Sequence, residues 1–303
     1  MTRPIPDFWR SEPVHRDQAS RESLWPVRPD CSDQPPRDEG SIVAPAQVDA
    51  ALSLLKSRAG LAPPAYKRAI VRRFLLERMR ARHLLRAADY LCELQSPADD
   101  SEWKAFVSAF TINHTAFFRE NHHFDVLAKF ARAADAGLTV WSCAASTGEE
   151  AYSIAITLCE AGVSGSVLAT DIDARAIAAA RLGIYDLKSL SEIPPVLCKR
   201  YFLRGSGSRA QSARIKPKLA AQVEFGIMNL CAPQWPAGPL FDAVFCRNVM
   251  IYFDQATQTD VLRQLARRVK PGGLLFVGHS ENFSRLTHDF ELLGQTVYRR
   301  NTP

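Results

Sequence analysis

A chain of 303 residues, 47% of them hydrophobic, is long enough to bury a large core and suits two domains. Its formal charge of +6 is basic without being extreme, no apolar run approaches the roughly 20 residues that cross a bilayer, and the opening MTRPIPDFWRSEPVHRDQ lacks the apolar centre of a secretory signal. An integral membrane protein is excluded and a cytoplasmic location expected. Seven scattered cysteines without a C-x-x-C pair, and no His, Cys or carboxylate cluster at ligand spacing, argue against a disulfide framework and a metal site.

Residues 1–45 are rich in Pro, Ser, Asp and Arg and show no period, which predicts an unstructured tail. Over residues 46–136 apolar side chains recur at three- and four-residue spacings, as in Ile70, Val71, Phe74, Leu75, Leu84 and Leu85, and predict a small helical domain. Inside it Lys67, Arg68, Arg72, Arg73, Arg78, Arg80, Arg82 and Arg86 are opposed by Glu77 alone. Such a stripe suits an acidic partner, whether nucleic acid, an anionic membrane surface or an acidic protein helix, or else is a solvated helix face. Ser96-Pro97 followed by Asp99 and Asp100 predicts a helix start. A further helix is expected from after Asn121 to Gly137, with His122 and His123 as surface or capping residues.

Residues 137–303 alternate apolar strands with helices: LTVWSC, a helix, SVLATD, a helix, VEFGIM, FDAVFC, a helix and LLFVGH. The alternation predicts an α/β domain with a mainly parallel sheet. Lys270-Pro271-Gly272-Gly273 is expected to end a helix and turn into a strand, and ELLGQTVYRR to form one last edge strand. The stretch at about 200–218, with basic residues around Gly205-Ser206-Gly207, predicts a small inserted β-hairpin.

The most informative segment is VWSCAASTGEEAYSIAI, Val140 to Ile156, which reads as an apolar strand, a small-residue turn and an amphipathic helix. LATDID follows and places Asp171 at the end of a second strand, where dinucleotide-binding folds hold ribose hydroxyls with an acid about 20 residues after the turn. The turn lacks G-x-G-x-x-G, and Glu149 at the helix start would repel a phosphate but accept hydrogen bonds from an ammonium group. A nucleoside carrying an amino group, S-adenosylmethionine, suits these residues; an ordinary strand-to-helix connection is the alternative.

TINHTAFFRE (Thr111 to Glu120), VWSCAASTGEEAYSIAI, LATDID, FDAVFCRNVMIYF (Phe241 to Phe253), KPGGLLFVGHSENF (Lys270 to Phe283) and GQTVY (Gly294 to Tyr298) together resemble the bacterial chemotaxis receptor methyltransferases, the CheR family, in order and spacing. The similarity runs from about Lys67 to Tyr298. It implies a Rossmann-like class I methyltransferase domain with a small inserted β-subdomain, preceded by an all-helical N-terminal domain, with S-adenosylmethionine between them and no metal. It implies transfer of the methyl group to glutamate carboxylates of chemotaxis receptors for sensory adaptation, with S-adenosylhomocysteine as the other product.

By position the resemblance assigns Asn113, Thr115, Arg119, Glu149, Asp171, Asn229, Leu230, Arg247 and Asn248 to the donor, and Arg119, Arg247 and Tyr252 to the reacting edge. It further implies that the Arg78 and Arg80 region meets acidic receptor helices, and that the 200–218 hairpin docks a receptor C-terminal peptide. A nucleic-acid methyltransferase would carry an N-P-P-Y or D-P-P-Y motif where this chain has FCRNVMIYF, so no nucleic-acid partner is expected.

Overall fold

The computed structural model describes residues 43–62, 68–95, 100–110, 114–283 and 287–302. The expected tail, apart from its last residues, lies outside these, as do Lys67, Ser96–Asp99 and Asn113. Four helices come first: α1 (Pro45–Ala59), α2 (Arg68–Ala81), α3 (Ala87–Gln95) and α4 (Asp100–Phe110). On α2 the buried residues are Val71, Leu75 and Met79, a strict four-residue spacing that turns one apolar line inward and leaves Arg68, Arg72, Arg73 and Arg80 outward. They join Leu55, Tyr90, Leu94 and Phe106 in a common core.

The basic stripe is less free than its composition suggests. Arg78 grips the buried Glu102 through two hydrogen bonds, Nε to Oε1 at 2.9 Å and Nη2 to Oε2 at 2.6 Å, and the Tyr90 hydroxyl donates to the same carboxylate at 2.7 Å. Arg68 pairs with Asp49, Arg82 with Glu93, and Arg73 with Glu77. Arg78 is therefore part of the helical core, while Arg73 and Arg80 stay exposed on α2.

A fifth helix, α5 (His122–Arg132), stops short of the expected Gly137 and packs on the α/β half of the chain, where Phe124 and Leu127 share a core with Ile154 and Leu158. The strands and helices that follow are β1 (Leu138–Cys143), α6 (Glu149–Glu160), β2 (Gly165–Asp171), α7 (Ala174–Leu182), β3 (Ile184–Asp186), α8 (Pro195–Tyr201), β4 (Phe202–Arg204), β5 (Ser212–Ile215), α9 (Pro217–Ala220), β6 (Val223–Ile227), β7 (Phe241–Cys246), α10 (Gln255–Ala266), β8 (Val269–Val277), β9 (Phe290–Gly294) and β10 (Val297–Arg300). Seven strands form one sheet in the order β6-β2-β1-β7-β8-β10-β9, parallel from β6 to β8. Its central strands are nearly continuous apolar runs buried on both faces, as parallel strands covered by helices must be.

Two expectations at the sheet change. ELLGQTVYRR is a hairpin, β9 and β10, turned by Gln295 and Thr296 at φ 48° and 62°, and both strands run antiparallel to their neighbours. Lys270 to Gly273 lies within β8, where a register shift against β7 accommodates the Pro and glycines. The inserted segment holds the expected hairpin, β4 with β5, and Ile184–Asp186 adds a third antiparallel strand to give the order β3-β5-β4. Aromatic contacts seat this small sheet on the rest: the Phe117 ring meets Tyr185 at 4.9 Å and Phe202 at 5.4 Å between centroids.

Candidate functional site

In an open α/β sheet ligands bind at the carboxyl ends of the strands where the connections reverse direction. Here that point lies between β1, whose chain proceeds outward to β2, and β7, whose chain proceeds the other way to β8. A cleft opens there. The sheet supplies Ala144, Ser146, Asp171, Met228, Asn229, Leu230, Arg247, Asn248 and Tyr252, α6 supplies Glu150, and the other wall comes from Ala59, Leu61, Phe110, Thr115 and Arg119.

The loop after β1 is shaped for close approach. Ala144, Ser146 and Gly148 all have left-handed backbone, at φ 58°, 49° and 93°, and the loop's N–H groups are tied inward, Ala145 to the Thr170 carbonyl at 2.9 Å and Gly148 to the Ala145 carbonyl at 2.9 Å. Glycine is required at 148, because a Cβ there would lie 2.9 Å from that of Ala180. Asp171 ties this loop to the next: Oδ2 accepts from the Ser146 N–H at 2.8 Å and Oδ1 from the Asp173 N–H at 2.9 Å. Burial pushes its carboxyl up to about 6 against those bonds. Asn229 donates to the Arg58 carbonyl at 2.7 Å and accepts from Cys231 N–H at 2.9 Å, so the loop after β6 is stitched to the end of α1.

Arg247 ends β7 with its side chain almost wholly buried between two carboxylates. Nη1 meets Glu150 Oε2 at 2.9 Å, Nη2 meets Glu120 Oε2 at 3.1 Å and also donates to the Arg119 carbonyl. Glu150 takes a second hydrogen bond from Ser142 Oγ at 2.7 Å, and burial raises its pKa although Arg247 pulls the other way. At Glu120 burial also works upward, but the Arg247 charge and hydrogen bonds from Arg247 and Asn248 carry the carboxyl below its usual range. Arg119, half-buried on the opposite wall, donates from Nη1 to the His114 carbonyl at 2.9 Å.

Of the residues expected from sequence, Thr115, Arg119, Asp171, Asn229, Leu230, Arg247, Asn248 and Tyr252 meet around the cleft. Asn113 lies outside the described residues. Glu149 is not among the residues that line the cleft: it is buried, accepts a hydrogen bond from Thr147 Oγ1 at 2.7 Å, and its pKa is raised by burial. The next residue, Glu150, faces the cleft instead, and consecutive residues on a helix point about 100° apart. Sequence reasoning also passed over Glu120 and Glu281, both inside quoted motifs, and the apolar wall of Leu61, Phe110 and Met228.

His123 is fully buried, contrary to its reading as a surface group. Its Nε2 lies 3.0 Å from Thr296 Oγ1 and 3.2 Å from the Gln295 carbonyl, and burial lowers its pKa to about 4, so the ring is neutral.

The cleft offers a buried acceptor at a strand end for ribose hydroxyls, an apolar wall for a base, and inner carboxylates for an ammonium group. Arg247 Nε is a buried donor without a partner among the described residues. These groups fit S-adenosylmethionine, and with the sheet order they define an S-adenosylmethionine-dependent methyltransferase of Rossmann-like fold.

Residues 113–299 match the family profile "CheR methyltransferase, SAM binding domain", and residues 46–111 match "CheR methyltransferase, all-alpha domain". The chain is 49% identical over 249 residues to a chemotaxis protein methyltransferase of Klebsiella aerogenes, covering 81% of this chain and 86% of that one. It is 47% identical over 249 residues to one of Escherichia coli, covering 81% and 87%. It is 45% identical over 254 residues to chemotaxis protein methyltransferase 2 of Pseudomonas aeruginosa, covering 82% and 87%. The chain belongs to the CheR methyltransferase family. Among the described residues no helix is long and apolar enough to cross a membrane, and no three or more His, Cys, Asp or Glu residues are grouped to hold a metal ion.

Proposed function

We propose that this chain transfers methyl groups to glutamate side-chain carboxylates of chemotaxis receptors, forming methyl esters. The bound donor supplies an electrophilic sulfonium methyl group. A glutamate, with an ordinary pKa near 4.3, is already ionised at neutral pH, so no strong base is needed and alignment of the nucleophile dominates.

The observation that carries this reading is the division of labour between two arginines on the cleft. Arg247 is spent on Glu120 and Glu150 and orients both carboxylates; of the two, Glu150 lines the cleft, where it would meet the donor's amino group. Arg119, half-buried at the other wall and bonded only through Nη1 to a backbone carbonyl in the described contacts, has further N–H groups to orient an incoming carboxylate. Tyr252 supplies a second donor at the same edge. Arg119 must not hold the carboxylate too tightly, because the nucleophile loses charge as the ester forms and an ion pair would favour the ground state.

Receptor engagement involves two surfaces in this reading. Exposed arginines of α2, Arg80 and Arg73 in particular, attract the acidic methylated helices; Arg78 contributes through the fold, as its guanidinium is bound to Glu102. The three-stranded insert leaves β4 as an open edge with Leu203 and Arg204 exposed, which suits strand addition by a receptor C-terminal peptide. Mass spectrometry of receptor peptides after incubation with enzyme and donor tests the proposal. One added methyl on glutamate residues of the signalling helices is expected, and methylation confined to lysine, arginine or nucleic acid would refute it.

A further inference from the structure

No segment contributes more to the cleft than the turn after β7, which supplies Arg247, Asn248, Val249, Tyr252 and Phe253. Its backbone is irregular: Asn248 is left-handed at φ 57°, and the chain then makes a single 3-10 turn over Met250–Tyr252. A left-handed non-glycine residue costs about 1 kcal/mol or more and persists only where its surroundings enforce it. The enforcing group here is one carboxylate from the loop after β8. Glu281 Oε2 accepts from the N–H groups of Asn248 at 3.0 Å and Gly278 at 2.5 Å, and Oε1 accepts from Met250 N–H at 2.8 Å.

Glu281 is 3% exposed and does not line the cleft. The fit around it is close enough to dictate its neighbour, since a Cβ on Gly278 would stand 2.4 Å from Asn248 Nδ2 and 2.9 Å from Glu281 Oε2. From the other side Glu120 Oε1 accepts from Asn248 Nδ2 at 3.3 Å. Asn248 is thus held through its backbone by Glu281 and through its side chain by the carboxylate that also pairs with Arg247.

We propose that Glu281 is a positioning residue for methyl transfer. It touches neither donor nor acceptor, but by gathering three N–H groups it sets the turn that carries Tyr252 to the reacting edge and Arg247 to its two carboxylates. Were its role only to hold the fold together, its loss would remove active molecules without slowing those that remain. A positioning role slows each remaining molecule, because an error of about 1 Å in a reacting group costs on the order of 100-fold.

The test is Glu281→Gln, which keeps the volume and puts an NH2 group where one oxygen accepts, and Gly278→Ala, which crowds the same turn from behind. Donor-binding sites are counted by calorimetric titration with S-adenosylhomocysteine, and turnover is expressed per site at saturating donor and receptor. Turnover per site should fall about 10- to 100-fold, a larger change than any loss of affinity for S-adenosylhomocysteine, which Asp171 and Asn229 on the other loops of the cleft would still help to hold. Amide hydrogen exchange over residues 248–252 should accelerate in both variants, and the double variant should be no slower than the worse single one.

Unchanged turnover per site in both variants, or unchanged exchange in that turn, overturns the proposal. Should Glu281→Gln not fold, Gly278→Ala decides it alone. The inference rests on the methyl-transfer reading; a parent protein that methylates no receptor sinks that reading, and the exchange measurement still decides whether Glu281 sets the turn.

Discussion

Asp171 pairs a proposed binding role with a pH signature. Its carboxyl is pushed up to about 6 by burial, above the value near 3.9 expected in the unfolded chain. The folded chain is then the tighter proton binder between roughly pH 4 and 6, so this group's contribution to stability improves as pH falls through that window and is a cost above it. Donor binding has the opposite demand, since only the ionised carboxylate offers all its acceptor positions to ribose hydroxyls. Affinity for S-adenosylhomocysteine should fall as pH drops below about 6, and Asp171→Ala should bind weakly without that dependence. Calorimetry across this range checks it; a flat profile in the parent would remove Asp171 from the nucleoside contacts.

Arg247 makes a different prediction at the same scale. Removing it strands the Glu120 and Glu150 carboxylates in a buried site, and breaking a buried pair costs about 3–5 kcal/mol. Arg247→Ala should show that loss in urea unfolding, and adding Glu150→Gln should recover part of it. Equal stability of Arg247→Ala and parent would mean that the pairs contribute nothing.

Among the elements, α2 separates charge proposed to dock from charge that folds. Arg78 serves Glu102 and Tyr90, so Arg78→Glu should destabilise the helical domain by several kcal/mol, with two carboxylates then facing each other. Reversal of Arg73 and Arg80 together should leave donor binding intact and cost little in melting, since the Arg73 pair with Glu77 is exposed, but reduce receptor methylation, with a weaker salt dependence because exposed charges are screened beyond about 8 to 10 Å. Receptor methylation at the parent rate in that double variant would take α2 out of the docking surface.

The same helix shows what sequence conveys. Its 3-4 spacing made Val71 and Leu75 legible as core, but nothing local reveals that Arg78 meets Glu102, 24 residues on. Likewise the strand-turn-helix around Gly148 and the acid at Asp171 were readable from composition and spacing. The choice between Glu149 and Glu150 was not, because two adjacent carboxylates differ only in which way the helix phase turns them. GQTVY read as an edge strand because its reversal uses Gln295 and Thr296 at positive φ, without the Asn-Gly or Gly pair that marks a two-residue hairpin turn. Glu281 stayed silent because its partners are backbone N–H groups, which no side-chain pattern announces.

Taken whole, the molecule sets one cleft between an α/β sheet and a helical cap, with the small β-insert on the flank of α6 and α7. In that arrangement a peptide added to β4, as proposed above, would act by raising the local concentration of enzyme near receptors, without entering the chemical step. Truncating the receptor's C-terminal peptide should therefore lower methylation at low enzyme concentration and matter little at saturation. Equal rates at every concentration would leave the insert with a structural role only.

The most direct test of receptor glutamate methylation is transfer of labelled methyl from S-adenosylmethionine to receptor-containing membranes, followed by mild alkali. Carboxyl methyl esters hydrolyse under those conditions and methylated amines or bases do not. Label should enter the receptor, leave it as volatile methanol on alkali treatment, and be lost with Arg119→Ala at saturating donor. Alkali-stable label, or full transfer by Arg119→Ala, would contradict the account.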